Sequence, residues 1–308
     1  MSLTANDAET LERSIAVGGV ALFPADTVYG LACEPDIDEA VTRLGNGRGV
    51  VVKDPFGVSG KGNLLIENPS VQKRIRRHLA SQEERGRNVR LVVEPYLAKA
   101  YDFSCQLSVT PTGESDVLSV QHINNYRFMY LGSESADKEF ELFLAARGYY
   151  EVMRKIADEL YRDGYYGDIC VDSLITKEDQ IVPIVEINAR KSMGLINQHL
   201  DRRLAERGVK GSFVFFMMSF SGRVSFADLL DALDQAGLLF TPARNRGILP
   251  LSCRTLFANR EYNDRRDTAI PVKGRWYVTA VADTQDKRRD DIAKTTAVLS
   301  KLGFTVHY

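Results

Sequence analysis

The chain has 308 residues, enough for two lobes and an appended segment, and its 44% apolar content is ordinary for a globular enzyme. Its 40 Lys and Arg residues balance 41 Asp and Glu residues, and the net charge of -1 argues against nucleic acid as a partner. The four scattered cysteines favour buried thiols in a reducing compartment. We therefore expect a cytoplasmic protein without a signal peptide or a membrane span.

Residues 1–48 carry a pattern of their own. A helix is predicted from Asp7 to Val17, and a double glycine and a strand lead into Pro24-Ala25-Asp26-Thr27-Val28-Tyr29-Gly30-Leu31. This opening resembles that of the threonylcarbamoyl-adenylate synthase family, although Ala25 stands where the family has threonine. The segment is too short to bury a core of its own, so we interpret it as a truncated leader that packs on the following lobe. A helix-strand cap with a chance motif is the alternative.

A glycine-rich loop follows a short β-branched strand. Gly49 to Val52 predict a buried strand that ends at Lys53, and the loop after it contains three glycines, a serine and a second lysine: Gly57, Ser59, Gly60, Lys61 and Gly62. Glycines let the backbone approach an anion closely, and the lysines add positive charge. The pattern is typical of a nucleotide-phosphate site, although it lacks the Walker spacing. A surface turn with solvated lysines is the alternative.

The next segment predicts a helix, an edge strand and a pair of sheet strands. The basic run from Lys73 to His78 indicates a solvated helix face. The strand Arg90 to Leu97 contains Glu94-Pro95, and because proline cannot donate a ladder hydrogen bond, a hinge-like edge is expected there. Strands are predicted at Ser104 to Val109 and Val117 to Val120, followed by one long helix from Lys138 to Tyr161.

Two later strands, Asp168 to Ile175 and Ile181 to Arg190, bring oxygen-bearing side chains together. Glu186 and Asn188 are two residues apart and so point to one face of their strand, with Asp172 on the neighbouring strand. Two carboxylates and an amide oxygen make a hard-oxygen pocket suited to Mg2+ that bridges phosphates. The exposed polar face of a hairpin is the alternative.

Taken in this order, the motifs between about residues 49 and 200 resemble the ATP-grasp superfamily of the carboxylate-amine ligase type. The resemblance implies an α+β fold in which two α+β lobes grip ATP, with a short N-terminal leader and a small C-terminal β-α-β unit. We expect a leader at 1–48, ATP-grasp lobes at 49–210 and a C-terminal α/β region at 211–308. The implied reaction ligates a carboxylate to an amine through an acyl-phosphate.

The resemblance also implies roles for individual residues. Lys53 would contact the nucleotide phosphate, and the loop from Gly57 to Gly62, with Ser59, Gly60 and Lys61, would be the flexible lid. Nucleotide-binding roles fall on four further residues, of which the last is the weakest match: Glu94, Tyr96, Leu97 and Asp102. The metal ligands would be Asp172, Glu186 and Asn188. Arg190 would steady the phosphate or the acyl-phosphate, which makes Lys53 and Arg190 the catalytic pair.

The C-terminal part carries weaker signals. Ser192 and Met193 begin a zone that faces the substrate in ATP-grasp ligases, so they are candidate substrate contacts together with Arg190. Further on, the pattern predicts a buried strand, a helix capped by Ser225 and a β-α-β unit, over Ser212 to Phe220, Phe226 to Ala236 and Trp276 to Val306. An arginine between residues 244 and 266 is expected to reach the acyl group, since a carboxylate substrate needs a planar donor.

The sequence thus predicts an ATP- and Mg2+-dependent ligase that acts on a small-molecule carboxylate and an amine and gives ADP and phosphate. Two alternatives belong to other classes. One is a nucleotide-binding regulatory module without catalysis. The other is a threonylcarbamoyl-adenylate synthase-like enzyme of transfer-RNA modification, which would release pyrophosphate. No membrane or nucleic-acid partner is expected, and a homo-oligomer is left open.

Overall fold

A computed structural model describes residues 21–25, 28–32, 49–53, 64–85, 92–126, 129–221, 224–258 and 271–307. The chain divides into two compact units. The first comprises 1–117, 127–130 and 148–191, and the second comprises 118–126, 131–147 and 192–308. The expected division into 1–48, 49–210 and 211–308 stays a prediction. The predicted helix from Asp7 to Val17 lies outside the described residues.

The strands follow in chain order: β1 (Ala21–Ala25), β2 (Val28–Ala32), β3 (Val50–Lys53), β4 (Leu64–Ile66), β5 (Val92–Pro95), β6 (Lys99–Val109), β7 (Ser115–Tyr126), β8 (Met129–Ser135), β9 (Gly167–Thr176), β10 (Ile181–Asn188), β11 (Lys210–Phe220), β12 (Gly247–Ser252), β13 (Val272–Ala282) and β14 (Thr305–His307). The helices are α1 (Pro69–Glu84), α2 (Lys138–Ala145), α3 (Tyr149–Arg162), α4 (Met193–Ala205), α5 (Phe226–Gln235) and α6 (Gln285–Lys301).

The first unit contains two antiparallel sheet regions. One has the strand order β1-β2-β10-β9-β6, so the N-terminal hairpin extends the sheet through the pairing of Val28 with Asn188. The other has the order β4-β3-β5. Helix α1 packs on this smaller sheet through Ile75, which joins Val50, Val52 and Ile66 in a compact apolar cluster. The short, largely β-branched strands of the smaller sheet therefore form the surface on which α1 packs.

Helix α3 covers the apolar face of the larger sheet region. The Phe103 and Tyr149 rings lie 5.3 Å apart, and the Tyr149 hydroxyl hydrogen-bonds to Ser173 Oγ at 2.8 Å. Met153, one turn further along α3, is fully buried. Residues at odd positions of β6 and β9 face this helix, and residues at even positions face the other side, because side chains alternate along a strand. The even-numbered face is the polar one.

The expectation of one helix from Lys138 to Tyr161 is wrong. Two helices occupy this stretch, α2 and α3, and they are separated by Gly148, whose φ of 72° is left-handed. Asp137 caps α2 by accepting a hydrogen bond from the Phe140 backbone N–H at 2.8 Å. A residue with a left-handed backbone conformation cannot continue a right-handed helix, so the helix breaks here although the apolar periodicity continues. Glycine adopts this conformation at little cost in free energy.

The second unit is built on the strand order β8-β11-β13-β12, with β14 also paired to β11. Strands β11 and β13 pair from Lys210 opposite Ala282 to Phe220 opposite Val272. Both β13 and β14 run antiparallel to β11, so they are parallel to each other and α6 connects them, which confirms the predicted β-α-β unit. The core of this unit gathers Trp276 with apolar residues of the helices and strands around it.

Helix caps in the second unit agree with the sequence. Ser225 opens α5 with a capping box, in which its Oγ accepts from the Asp228 N–H and the Asp228 carboxylate accepts from the Ser225 N–H. Gly237 follows α5 with a φ of 68°. Ser192 opens α4 with a side-chain cap alone, since its Oγ accepts from the Leu195 N–H at 3.1 Å. In both caps the hydrogen bonds join residues three apart in the sequence, so the signal for the helix start is local.

Arg246 ties the flank of β12 to α6. Its guanidinium donates to both carboxylate oxygens of Asp291, at 2.9 and 2.6 Å, and to Asp290 at 3.0 Å. Asp291 is 2% exposed, so its charge needs this partner. Arg244 pairs with Asp234 at 3.1 Å. Two of the six arginines between residues 244 and 266, Arg244 and Arg246, are therefore engaged in ion pairs within the unit. Arg254 is exposed, and Arg260, Arg265 and Arg266 lie outside the described residues.

Cys105, Cys170 and Cys253 are free and buried, as expected, and Cys33 lies outside the described residues. Among the helices that the structure describes, none combines the length and apolar content needed to cross a bilayer.

Candidate functional site

Strands β9 and β10 bring the three predicted metal ligands to one face. Asp172 lies directly opposite Glu186, and Asn188 lies opposite Cys170. Directly opposed residues in an antiparallel pair share a face, and so do residues two apart. The sequence-based juxtaposition of Asp172, Glu186 and Asn188 is therefore present, and it depends on a register shift between Val182 and Glu186 that sets the pairing of the second half of β10.

Hydrogen bonds connect these side chains to Arg190. The Asn188 amide donates from Nδ2 to Asp172 Oδ2 at 3.2 Å, and Arg190 donates from Nη2 to Asn188 Oδ1 at 2.7 Å. Asn188 is 4% exposed, whereas Glu186 and Arg190 are exposed. Asn188 thus stands between a carboxylate and a guanidinium, and its amide oxygen keeps a second lone pair for another ligand.

The Asp172 carboxyl group is in an environment that disfavours its charge. The residue keeps partial exposure, but its carboxyl group is enclosed, and this desolvation is the largest reason why its pKa is raised from the ordinary 3.8 to about 7. The negative charge of Glu186 also acts to raise this pKa, while the Cys170 thiol and Arg190 act to lower it. An enclosed carboxylate facing a second carboxylate is the environment that a divalent cation relieves.

The donor set fits a hard cation. Two carboxylates and one amide oxygen are the ligand types that Mg2+ takes, with water and phosphate oxygens completing the shell. Within the described ranges no group of three or more His, Cys, Asp or Glu residues is arranged for a metal, so the amide of Asn188 is needed to make up the set.

A polar row on β6 continues the same face. Ser104 pairs with Asp172 and Gln106 pairs with Cys170. Gln106 donates from Nε2 to Ser104 Oγ at 2.9 Å and to Cys170 Sγ at 3.4 Å, and the Cys170 thiol lies 3.7 Å from Asp172 Oδ1. Ser104 and Gln106 are buried. The sequence-based expectations do not include them, although polar residues at alternate positions of β6 mark this face.

Asp102 lies on this row as well, two positions before Ser104. It forms an ion pair with Lys99 on the same strand. Asp102 is opposite Leu174, and the next pair on the same face is Ser104 with Asp172. The charge of Asp102 therefore contributes slightly to the raised pKa of the Asp172 carboxyl group. Its expected role toward the ribose or adenine stays a prediction.

Lys53 and Glu94 face each other on the smaller sheet. Val51 is opposite Glu94 and Lys53 is opposite Val92, so the two charged side chains are diagonal neighbours on one face. Lys53 Nζ lies 2.5 Å from Glu94 Oε2, and both side chains are about a quarter exposed, at 24% and 29%. The sequence placed these two residues in separate roles, whereas the structure pairs them.

The remaining nucleotide-binding candidates are placed as follows. The Tyr96 backbone N–H donates to the Gly49 carbonyl at 3.0 Å, which fastens the segment after β5 to the start of β3. Leu97 is 38% exposed. Five loop residues of the expected lid lie outside the described residues: Gly57, Ser59, Gly60, Lys61 and Gly62.

Of the two candidate substrate contacts at the start of α4, Ser192 uses its hydroxyl oxygen as the helix cap. Met193 is 39% exposed. Both belong to the second unit, whereas Arg190 belongs to the first. Their roles toward substrate stay predictions.

Solved structures with a similar fold bind adenine nucleotides. An ADP complex of N5-carboxyaminoimidazole ribonucleotide synthetase matches 95% of this chain and 71% of its own, with a TM-score of 0.54 and 14% identity. The carboxyaminoimidazole ribonucleotide synthase of Aspergillus clavatus, complexed with ATP, matches 96% and 72%, with a TM-score of 0.54 and 12% identity. The biotin carboxylase of Campylobacter jejuni matches 97% and 66%, with a TM-score of 0.52 and 15% identity. The chain therefore has the ATP-grasp type of α+β fold.

The chain is also similar in sequence to a curated protein. The [butirosin acyl-carrier protein]--L-glutamate ligase of Niallia circulans is 28% identical over 149 residues, which are 46% of this chain and 32% of the relative. The chain thus matches about a third of that protein's length. No protein-family model matches the chain. The comparisons do not show the resemblance of residues 1–48 to threonylcarbamoyl-adenylate synthases.

Proposed function

We propose that the protein is an ATP-dependent ligase that joins a carboxylate to an amine through an acyl-phosphate and releases ADP and phosphate. One observation carries the proposal. Asp172, Glu186 and Asn188 meet on one face of β9 and β10, with Arg190 bonded to Asn188, in a fold whose solved neighbours hold ATP or ADP.

Asp172, Glu186 and Asn188 would hold Mg2+, which when bound neutralises phosphate charge and orients the terminal phosphoryl group. The chain's own cations act beside it. Arg190 has donors beyond the one used on Asn188, and these can stabilise the charge that develops on the transferred phosphoryl oxygens. Lys53 has three donors, of which one serves Glu94, so it can contact a phosphate while keeping that ion pair.

The proposed reaction has two steps and needs no covalent protein nucleophile. A substrate carboxylate oxygen attacks the γ-phosphorus, the bond from that phosphorus to the bridging oxygen breaks, and ADP leaves. The amine nitrogen then attacks the acyl carbon of the mixed anhydride. The bond from that carbon to the phosphate oxygen breaks, phosphate leaves, and the nitrogen loses a proton. Positioning and charge neutralisation are all that these residues have to supply.

The name of the curated relative suggests the form of one substrate. That protein is a ligase of L-glutamate and an acyl-carrier protein. We therefore propose an amino acid as the carboxylate and an acceptor that is either free or attached to a carrier protein.

A product assay tests the proposal. Purified protein, ATP and Mg2+ are incubated with single amino acids in the presence of hydroxylamine, which traps an acyl-phosphate as a hydroxamate. ADP, phosphate and pyrophosphate are quantified separately. We expect ADP and hydroxamate in equal amounts with at least one amino acid. Pyrophosphate in place of ADP would indicate an acyl-adenylate, and the absence of both products across the whole panel would refute the ligase assignment.

A matched pair of variants locates the chemistry. Glu186→Gln keeps the size of the side chain but removes a charged ligand, and a loss of at least about a hundredfold in ADP formation is expected. Glu114→Gln makes the same change at an exposed position between β6 and β7. It is expected to retain wild-type turnover. Equal activity of the two variants would remove Glu186 from the site.

A further inference from the structure

Helix α1 carries a cluster of cations on its outer side. Ile75 is 4% exposed and packs on the β3-β4-β5 sheet, which fixes the buried side of the helix. Successive residues rotate by about 100° around a helix axis. Lys73 and Arg77 therefore point away from Ile75, with Arg74 and Arg76 on either flank. All four side chains are exposed, and together they form what we call the basic face of α1.

Charge on this face is not balanced along the helix. From residue 68 to residue 82 the sequence has no Asp or Glu. The pairs Lys73 with Arg76, Lys73 with Arg77 and Arg74 with Arg77 are three or four residues apart, so each is a repulsive neighbour pair that costs about 0.2–0.5 kcal/mol. Among the described residues, no acid forms an ion pair with Lys73, Arg74 or Arg77. Arg76 interacts with another group of the chain, so the positive charge that the basic face offers to a partner comes mainly from Lys73, Arg74 and Arg77.

The surroundings of the basic face favour an acidic protein surface as its occupant. A membrane surface also attracts cations, but an interfacial helix needs large apolar side chains among them, and the apolar residues Val71 and Ile75 face the small sheet instead. Nucleic acid attracts proteins with a positive surface over a wide area, whereas this chain has a net charge of -1 and its cations here occupy about one helical turn.

We propose that the basic face of α1 docks the acidic surface of a carrier protein that delivers one substrate to the ligase. The proposal rests on the proposed function, and the name of the curated relative supports the kind of partner, since that ligase acts on an acyl-carrier protein. Complementary charge at such a surface raises the association rate and makes binding depend on ionic strength. The basic face is therefore a recognition surface and not part of the phosphoryl-transfer machinery.

Two charge-reversal pairs test this inference in the full chain. Lys73→Glu with Arg77→Glu reverses the centre of the basic face. It places one carboxylate three residues before Arg76 and another three residues after Arg74, so two of the three repulsive pairs become attractive, the pair at 73 and 77 stays repulsive, and the helix should stay folded. Arg203→Glu with Arg289→Glu makes the same change in net charge at exposed positions of α4 and α6. The probe is a fluorescently labelled bacterial holo-acyl-carrier protein, and anisotropy gives its dissociation constant at about 25 and 150 mM salt, where screening differs strongly.

We expect wild-type protein and the Arg203/Arg289 variant to bind the carrier protein with similar affinity. The Lys73/Arg77 variant should bind at least about tenfold more weakly, with a reduced salt dependence. No binding by the wild type at the lower salt concentration, or equal weakening in both variants, would overturn the inference. Tighter binding of a single-stranded oligonucleotide or of anionic vesicles, lost in the Lys73/Arg77 variant, would also overturn it by assigning the face to another partner.

Hydroxamate formation from a free amino acid separates this inference from the ligase proposal. The Lys73/Arg77 variant is expected to keep wild-type hydroxamate formation, because its changes lie outside the phosphoryl-transfer residues. Hydroxamate formation without carrier binding would refute the docking surface alone. Carrier binding without any ATP-dependent product would refute the ligase proposal alone.

Discussion

Replacing Asp172 by Asn is expected to stabilise the metal-free protein while it abolishes Mg2+-dependent turnover. Enclosure and the facing Glu186 raise the pKa of Asp172 from 3.8 to about 7. A shift of about three pKa units corresponds to about 4 kcal/mol of unfavourable free energy in the charged form, since each unit is about 1.4 kcal/mol. Asn keeps one oxygen to accept from Asn188 but adds an amide beside Cys170, so we expect a net gain of about 1–3 kcal/mol at about pH 8.

The gain depends on pH in a definite direction. The folded-state pKa of Asp172 lies above the unfolded one, so the folded state holds the proton more tightly and wild-type stability falls as pH rises from about 4 to about 7. Asn has no proton to lose. The stability difference between Asp172→Asn and wild type should therefore be small near the lower end of this window, grow through it and level off above it.

Urea unfolding in EDTA at about pH 4.5, 6 and 8 measures this difference, with Asp168→Asn as the control. Asp168 lies on the same strand and the same face but opposite Ser108, away from Glu186. Adding Mg2+ and an ATP analogue should stabilise the wild type at the highest pH and leave Asp172→Asn unchanged. Destabilisation of Asp172→Asn at that pH, or an equal pH dependence in both variants, would refute the account of an electrostatically strained carboxyl group.

Three further outcomes are expected. Lys53→Ala should weaken ATP binding by about 1.5–3 kcal/mol, the value of a charge-assisted hydrogen bond, and calorimetry with unaltered affinity would reject the phosphate role. Gly148→Ala should lower the stability by about 1 kcal/mol because of the φ of 72°. The nearest atom to an added Cβ is 3.5 Å away, so the backbone conformation and not a clash causes the loss. An unchanged melting temperature would show that the backbone relaxes. Arg246→Ala should lower the free energy of unfolding by about 2–3 kcal/mol, because it leaves the buried Asp291 carboxylate unpaired. The double variant Arg246→Ala with Asp291→Asn should recover part of this loss. No recovery in the double variant would mean that the loss comes from packing.

Several features of this protein follow from local sequence alone. Strand alternation is sufficient to put Glu186 and Asn188 on one face, because side chains alternate in any extended chain. The Ser225 cap follows from hydrogen bonds within four residues. The ATP-grasp type of fold was predicted from the resemblance of the motifs around Lys53, Glu94 and Glu186 to those of that superfamily.

Other features were settled only by the tertiary structure. Whether Asp172 meets Glu186 depends on strand pairing across a register shift, and the raised pKa of Asp172 depends on how completely neighbouring strands enclose it. Lys53 and Glu94 are far apart in the sequence, and only the pairing of β3 with β5 makes them an ion pair. The break at Gly148 is also invisible to the periodicity, which is the same on both sides of it. Register and enclosure arise from contacts between distant segments, so a residue's neighbours in sequence carry no record of them, whereas the helix break has a local mark in Gly148 that periodicity does not detect.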